Sequence, residues 1–221
     1  LSVVRLDLRE CFSTVALPRV RSVFRRLGYP APVATVLADL CTVATPADEL
    51  RGLDPWRAAT LRSRHLPQGA PSSPALVNLA LHRLDARLTG LAHAQGARYT
   101  RYGDDLAFSG ARDPALIAGV VPKIVAAEGL SVNPRKTRIM RAGARQELAG
   151  VVVNARAQVP RAEYDDLRAL LHNAARSGGE SKNRDGHPDF RAFVYGRIAW
   201  VAQGNEQRRL RLLAMAARVR W

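Results

Sequence analysis

The chain has 221 residues, of which 47% are hydrophobic, enough to bury a substantial core. Its 34 Lys and Arg against 19 Asp and Glu give a formal net charge of +15, which favours a polyanionic partner, and nucleic acid above all. No apolar run approaches the ~20 residues of a membrane-spanning helix, and Cys11 and Cys41 have no zinc-ligand spacing. These features exclude a membrane span and a cysteine-based zinc site, and they predict reduced core thiols in a cytoplasmic protein.

The first third of the chain predicts a strand followed by helices. The opening residues SVVRLDL have the character of a buried strand and carry Asp7. Because that strand starts at once, we expect the chain to be part of a longer protein. Helical periodicity then predicts helices over 18–27, ended by Gly28, and over 32–43. The polar segment 45–65 predicts a loop with room for a hairpin.

The middle of the chain begins with the turn-like stretch LPQGAPSSP, residues 66–74. A long helix is predicted from Ser73 to Leu91, with Ser72 or Ser73 as its N-cap. Next comes a hairpin whose tip is Gly103 with two adjacent aspartates. Further elements are a helix over 113–128 closed by Gly129, and short strands over 137–140 and 147–153.

The last part of the chain is helical in pattern. Helices are predicted over 164–176, 190–203 and 206–219, with a polar loop between the first two. The order of elements is therefore mixed α/β and then all α. We predict two parts joined near residue 155.

The paired aspartates Asp104 and Asp105 raise a chemical question, because adjacent carboxylates at a turn repel each other and lose hydration. A bound cation would offset both costs. In a strand, neighbouring side chains point to opposite faces, but a turn at Gly103 relaxes that constraint. Asp7 is the best third ligand, since it alone among the other acids lies in a strongly apolar strand. Three carboxylates around two Mg²⁺ ions would serve phosphoryl transfer.

Each of these features has a plainer interpretation. A DD pair at a turn is usually a solvated turn, and LPQGAPSSP is equally typical of a loop with a helix cap. Lys136 and its neighbouring arginines could form an ordinary solvated basic face. Their occurrence together in a fixed order favours the functional interpretation.

That ordered set of motifs resembles the reverse transcriptase family, and within it the bacterial enzymes of retrons and group II introns, with the retron type closest. The resemblance is carried by five stretches up to residue 154, and a sixth, HPDFRAFVYGRIAWV (187–201), is similar to the retron thumb. The five are LDLRECF (6–12), LPQGAPSSPALVNLAL (66–81), YTRYGDDLAFSG (99–110), GLSVNPRKTRIM (129–140) and QELAGVVVN (146–154).

The resemblance implies an α+β fold: a right-hand polymerase palm, with an antiparallel sheet packed on helices, partial fingers and a C-terminal helical thumb. Palm with inserted partial fingers (about 18–65) would cover 1–155, and the thumb 156–221. The family's upstream fingers motifs are absent from this sequence.

The resemblance also implies catalytic roles. Asp7 and Asp104 would be the principal ligands of two Mg²⁺ ions, with Asp105 beside them and Mn²⁺ as a substitute metal. Lys136 would protonate or neutralise the leaving pyrophosphate. The primer grip would be formed by Leu148, Ala149, Gly150 and Val151.

Substrate contacts follow from the same motifs. Phe12 would be the aromatic gate that excludes a 2′-OH, or a core aromatic, or both. Main-chain N–H groups of Arg9, Glu10 and Cys11 would face the triphosphate. Gln68 and Gly69 would lie against the nascent base pair, where a side chain on Gly69 would obstruct the approach.

The function implied is RNA-directed DNA polymerisation, with an RNA template, a DNA or RNA primer and dNTPs as partners. Retron enzymes also use a cognate structured RNA and take part in phage defence, whereas intron enzymes serve mobility. Two alternatives remain: a catalytically weak nucleic-acid-binding component of a defence or mobility system, and an RNA-templated RNA polymerase, which Phe12 disfavours.

Overall fold

The computed structural model describes residues 1–221 and divides the chain into two compact units, residues 1–141 and 142–221, each with its own hydrophobic core. The first unit contains the strands β1 (Val3–Asp7), β2 (Arg98–Tyr102), β3 (Asp105–Ser109) and β4 (Arg138–Met140). Its helices are α1 (Cys11–Thr14), α2 (Leu17–Arg26), α3 (Ala31–Leu40), α4 (Pro55–Arg62), α5 (Ser73–Ala80), α6 (His82–Ala94) and α7 (Pro114–Ala127).

The four strands form one antiparallel sheet in the order β2-β3-β1-β4. Leu6 lies opposite Leu106, and Asp7 lies opposite Asp105. Because side chains alternate along a strand, the leucines face one side of the sheet and the two acids face the other. The apolar side packs on α6 and α7, so the fold is α+β as predicted. The core on that side includes Val4, Leu6, Leu84, Leu88, Leu106, Phe108, Ile117 and Val121.

Two sequence-based assignments in this unit are wrong. Segment 45–65 was expected to be a loop but contains α4, which Asp54 caps by accepting a hydrogen bond from Arg57 N–H at 3.1 Å. The helix expected over 73–91 is two helices, because Leu81 leaves helical geometry at ψ 5°. Ser72 is the N-cap residue of α5, one of the two predicted positions, but its side chain makes no capping hydrogen bond. The Ser73 hydroxyl instead donates to Pro67 O at 2.6 Å.

The second unit is a hairpin followed by three helices. The strands are β5 (Glu147–Leu148) and β6 (Val151–Val152), and the helices are α8 (Arg161–Ser177), α9 (Phe190–Val201) and α10 (Glu206–Ala216), with a 3₁₀ turn at Glu180–Lys182. The three predicted helices are thus present. Their core includes Leu167, Leu171, Val194, Ile198 and Leu212.

The boundary between units falls at residues 141 and 142, earlier than the predicted joint near 155. The reason is the bonding of the β5–β6 hairpin to its own flanks. Val152 pairs with Gln158, and the Asn154 side-chain amide donates to Ala144 O at 2.8 Å. The hairpin is therefore part of the unit that follows it. No helix in either unit is both long and apolar enough to cross a membrane.

Candidate active site

A cleft of about 370 Å³ opens in the first unit at the end of β1. Residues from β1, α1 and four loops line it. The lining includes Asp7, Arg9, Glu10, Cys11, Phe12, Gln68, Asp104, Asn133 and Lys136. Segments that are distant in sequence, and that were predicted separately as functional, therefore meet at one place.

The register of the sheet brings the acids together. Asp7 ends β1 directly opposite Asp105, and the N–H of Leu8 donates to Asp104 O at 2.9 Å. Gly103, with φ 59°, is the first of two residues that join β2 to β3. That position in a two-residue hairpin turn needs a positive φ, which glycine adopts without steric cost. The predicted closeness of Asp7 and the aspartate pair is confirmed.

The three carboxylates have different partners. Asp7 is buried and pairs with Lys136, whose Nζ lies 3.0 Å from Oδ2. Asp105 accepts two hydrogen bonds from the guanidinium of Arg5, at 3.0 and 2.8 Å, and it does not line the cleft. Asp104 lines the cleft and accepts no hydrogen bond from another side chain.

The expectation of three acids around the metals stays a prediction. The structure contains no group of three His, Cys, Asp or Glu side chains arranged to hold a metal ion. Asp7 and Asp104 line one cleft together with Glu10, which is paired with Arg57, while Arg5 neutralises Asp105 outside it. Mg²⁺ is commonly held by one or two carboxylates together with water and substrate phosphates. The donor set fits a divalent ion on these terms.

Lys136 reaches the cleft through a hydrogen-bonded turn. Its N–H donates to Asn133 O at 3.2 Å, Pro134 occupies the second turn position, and the N–H of Asn133 donates to Asp7 O at 2.8 Å. The hydrogen bond to Asp7, and then the charge of that carboxylate, raise the pKa of Lys136. The side chain is therefore cationic at neutral pH.

Asp104 shows the opposite balance. Burial raises the pKa of its carboxyl group, and the charges of Asp7 and Asp105 raise it further, although its own backbone hydrogen bond and Lys136 act in the other direction. The ionised carboxylate is thus disfavoured where it lies. A cation beside it would reverse that penalty.

The loop after β1 matches the expectation only in part. The N–H of Arg9 was predicted to face a triphosphate, but it donates to Ser131 O at 2.8 Å and is not available to one. The N–H groups of Glu10 and Cys11 have no such acceptor. Glu10 has φ 49° and ψ 43°, a left-handed conformation that costs a non-glycine residue about 1 kcal/mol or more. Strain of this kind is concentrated at functional sites.

Phe12 lines the cleft and also packs against the core of the first unit. Both interpretations of this ring, gate and core aromatic, are therefore compatible with its position.

The LPQG loop is anchored at both ends, by Ser73 on one side and by Leu66 on the other, whose N–H donates to Val15 O at 3.2 Å. Gln68 lines the cleft, but Gly69 does not. Gly69 has φ 93°, and an added Cβ would meet no atom within 4 Å. Within this chain, backbone conformation rather than crowding explains the glycine.

A set of contacts centred on Arg101, here called the Arg101 clamp, holds the aspartate hairpin and was not predicted from the sequence. The buried guanidinium of Arg101 forms an ion pair with Asp85, with two hydrogen bonds at 2.9 and 2.6 Å. It also donates to Asn78 Oδ1 at 2.9 Å and to Gly103 O at 3.0 Å. Tyr99 donates to the same Asp85 carboxylate, and burial followed by this hydrogen bond raises the pKa of Tyr99. Nothing local in the sequence pairs residues 85 and 101; only the sheet-on-helix packing does.

The residues expected to form a primer grip lie in the second unit. Leu148 and Val151 are paired across the β5–β6 hairpin, and Ala149 and Gly150 form its turn with φ 49° and 79°. Two successive positive φ values define a type I′ turn. Ala149 and Glu10 are the two non-glycine residues of the chain with positive φ, and both lie in motifs with a predicted function.

The antiparallel sheet presents two carboxylates to one cleft, which Lys136 and the strained loop after β1 also line, and its packing on helices is consistent with the palm-like fold of reverse transcriptases. Residues 1–178 match the family described as "Reverse transcriptase (RNA-dependent DNA polymerase)". The chain belongs to the reverse transcriptase family.

Curated relatives are retron enzymes. The chain is 41% identical to the Retron Mx65 reverse transcriptase of Myxococcus xanthus, over 95% of this chain and 48% of that protein. It is 36% identical to the Retron Mx162 reverse transcriptase of the same organism (87% and 44%), and 30% identical to the Retron Ec86 reverse transcriptase of Escherichia coli (77% and 48%). The chain thus spans about half the length of these relatives.

Among solved structures, a truncated apo telomerase from Candida tropicalis is similar with a TM-score of 0.49 and 9% identity, over 72% of this chain and 35% of that one. A likeness at this level carries no functional argument.

Proposed function

We propose that the protein that contains this chain is a retron-type RNA-directed DNA polymerase that adds dNMP units to a primer 3′ end. The observation that carries the proposal is the meeting of Asp7 and Asp104 at one cleft in a chain of the reverse transcriptase family. The identity to retron enzymes supports the retron type.

The reaction joins the primer 3′ oxygen to the α-phosphorus of a dNTP. The bond from that phosphorus to the bridging oxygen breaks, pyrophosphate leaves, and the 3′-hydroxyl proton is released. When bound, Mg²⁺, or Mn²⁺ in its place, would neutralise the phosphates and favour ionisation of the 3′-hydroxyl. Asp7 and Asp104 would hold the metal.

The remaining cleft residues would position the substrate. The N–H groups of Glu10 and Cys11 would donate to phosphate oxygens, and Phe12 would lie under the sugar. Lys136, which lines the same cleft, would face the departing pyrophosphate and neutralise its charge.

The partners follow from the proposed reaction. They are an RNA template, a DNA or RNA primer, dNTPs and a cognate structured RNA, encountered in the cytoplasm. Residues 148–151 would act as the primer grip, and α8 to α10 as the thumb. The net charge of +15 supports a polyanionic ligand.

Primer extension on poly(rA) with an oligo(dT) primer tests the proposal. Asp7→Asn and Asp104→Asn should each lower dTTP incorporation by at least about a hundredfold, because each removes a metal ligand worth several kcal/mol in the transition state. Asp48→Asn, at an exposed carboxylate that does not line the cleft, should leave the rate unchanged. Undiminished extension by either ligand variant would refute the assignment.

A second candidate is a nucleic-acid-binding component without catalysis. It is favoured by the ion pairs Lys136–Asp7 and Arg5–Asp105, in which protein groups neutralise two of the three acids. Such a protein would bind a primer–template duplex equally well in Mg²⁺ and in EDTA, and it would show no dNTP incorporation.

A further inference from the structure

Few cationic side chains line the cleft. Arg9 and Lys136 are the two that line it, against the carboxylates of Asp7, Glu10 and Asp104. Lys136 is already paired with Asp7. A triphosphate brings several further negative charges into the cleft, so the state of Arg9 matters.

The Arg9 side chain is held in place while the N–H groups of its guanidinium make no hydrogen bond. Its guanidinium carbon lies 4.1 Å from the centroid of the Trp56 ring, a cation–π contact. The nearest carboxylate oxygen, Oδ2 of Asp54, is 3.8 Å from one of its nitrogens, which makes a loose ion pair and no hydrogen bond. The side chain is 47% exposed. The contact with the ring holds the guanidinium while its N–H groups have no hydrogen-bond acceptor, so they remain able to bind phosphate oxygens in the bidentate manner typical of arginine.

Helix α4 provides the support for this arrangement. Asp54 caps the helix and so fixes the position of Trp56 in its first turn. The next residue, Arg57, places its Nε 3.3 Å from Oε1 of Glu10, the strained residue beside Arg9. Residues of α4 and its cap therefore contact two residues of the loop that lines the cleft, Arg9 and Glu10, and the Trp56 ring lies against Arg9.

We propose that the Arg9 guanidinium binds the triphosphate of the incoming nucleotide and that Trp56 is the residue that positions it. This inference rests on the proposed polymerase function. It assigns to the Arg9 side chain the contact that its N–H, bonded to Ser131, cannot make. It also assigns a role to α4, which otherwise buries no residue.

Steady-state primer extension on poly(rA) with an oligo(dT) primer, at varied dTTP, tests the proposal. Arg9→Ala should raise the KM for dTTP about tenfold, the usual loss when a charge-assisted hydrogen bond is removed, with a smaller change in kcat. Trp56→Ala should raise it about threefold, and Trp56→Phe, which keeps an aromatic face, should recover most of that loss. Arg62→Ala is the matched control, since it removes an exposed positive charge from α4, the helix that carries Trp56.

The double variant Arg9→Ala/Trp56→Ala decides the positioning role. If Trp56 acts through Arg9, the double variant has the KM of Arg9→Ala alone. On a heteropolymeric template, KM should rise equally for dATP and dTTP, because a phosphate contact ignores the base.

Three results would overturn the inference: an Arg9→Ala KM no higher than that of Arg62→Ala, a full additional Trp56→Ala effect in the Arg9→Ala background, or a KM effect confined to one base. If Trp56→Ala fails to fold, Trp56→Phe and Arg9→Ala still decide. An unsubstituted protein that incorporates no dTTP would instead contradict the proposed function, so the two failures are distinguishable.

Discussion

At the residue scale, the position of Phe12 is compatible with both of its predicted roles, sugar gate and core aromatic. Its ring packs against the core and also lines the cleft. We expect Phe12→Ala to raise the rNTP to dNTP ratio of kcat/KM by about tenfold or more, because a shape-based pocket discriminates by roughly that factor per group removed. Competing incorporation of rUTP and dTTP measures it.

The matched control for that prediction is Phe24→Ala. Phe24 is also partly buried against the same core, but it does not line the cleft. The Phe24→Ala variant should be less stable than the unsubstituted protein and keep the same preference for dNTPs over rNTPs. An unchanged preference in Phe12→Ala would show that the ring is only a core residue.

The burial of Cys11 can be tested through the reactivity of its thiol. Burial first, and then the charge of Asp104, raise the pKa of its thiol to about 12. Because the thiolate is the reactive form, its fraction at pH 8 is about 10⁻⁴ and grows tenfold per pH unit up to that pKa. Iodoacetamide in native buffer at pH 8 should therefore modify Cys41, which is half-buried, and spare Cys11. Two labels per native chain, counted by mass spectrometry, would contradict the burial of Cys11.

At the element scale, the positions of the strands and of most helices could be predicted from apolar periodicity. The strand that carries Asp7 and the hairpin that carries Asp104 are where the sequence places them. Helix α4 was missed because it buries no residue, so its only signal is the Asp54-Pro55 start. The break at Leu81 was missed because no glycine or proline marks it.

Contacts between elements were beyond prediction, since they depend on packing. Arg101 is the clearest case, because its partners Asn78 and Asp85 lie on the separate helices α5 and α6. The pairing of Asp105 with Arg5 is similar in kind: both residue types were visible, but only the register shows that they meet.

The Arg101 clamp predicts a large effect from a residue outside the cleft. Asp85→Ala leaves a guanidinium that is 5% exposed without its carboxylate, which should cost about 3 kcal/mol of unfolding free energy. Urea denaturation monitored by circular dichroism measures the loss. Asp48→Ala, at an exposed carboxylate with no side-chain partner, should change stability by less than about 0.5 kcal/mol. Equal stabilities of the two variants would mean that the clamp does not hold the hairpin.

At the scale of the whole molecule, the charge of +15 predicts binding dominated by phosphates. For six to ten phosphate contacts, affinity for an RNA–DNA duplex should fall about 10³- to 10⁵-fold between about 50 and 200 mM salt. Fluorescence anisotropy with a labelled duplex gives the slope. Affinity that is nearly independent of salt would contradict a phosphate-based interface.

The central claim is that Asp7 and Asp104 together bind a divalent cation with the nucleotide. Calorimetric titration of the protein with dTTP, in Mg²⁺ and in EDTA, tests it most directly. We predict binding heat in Mg²⁺ that disappears in EDTA and is lost in Asp7→Asn and Asp104→Asn but retained in Asp48→Asn. Equal dTTP affinity in Mg²⁺ and EDTA, or full affinity in both ligand variants, would contradict the account.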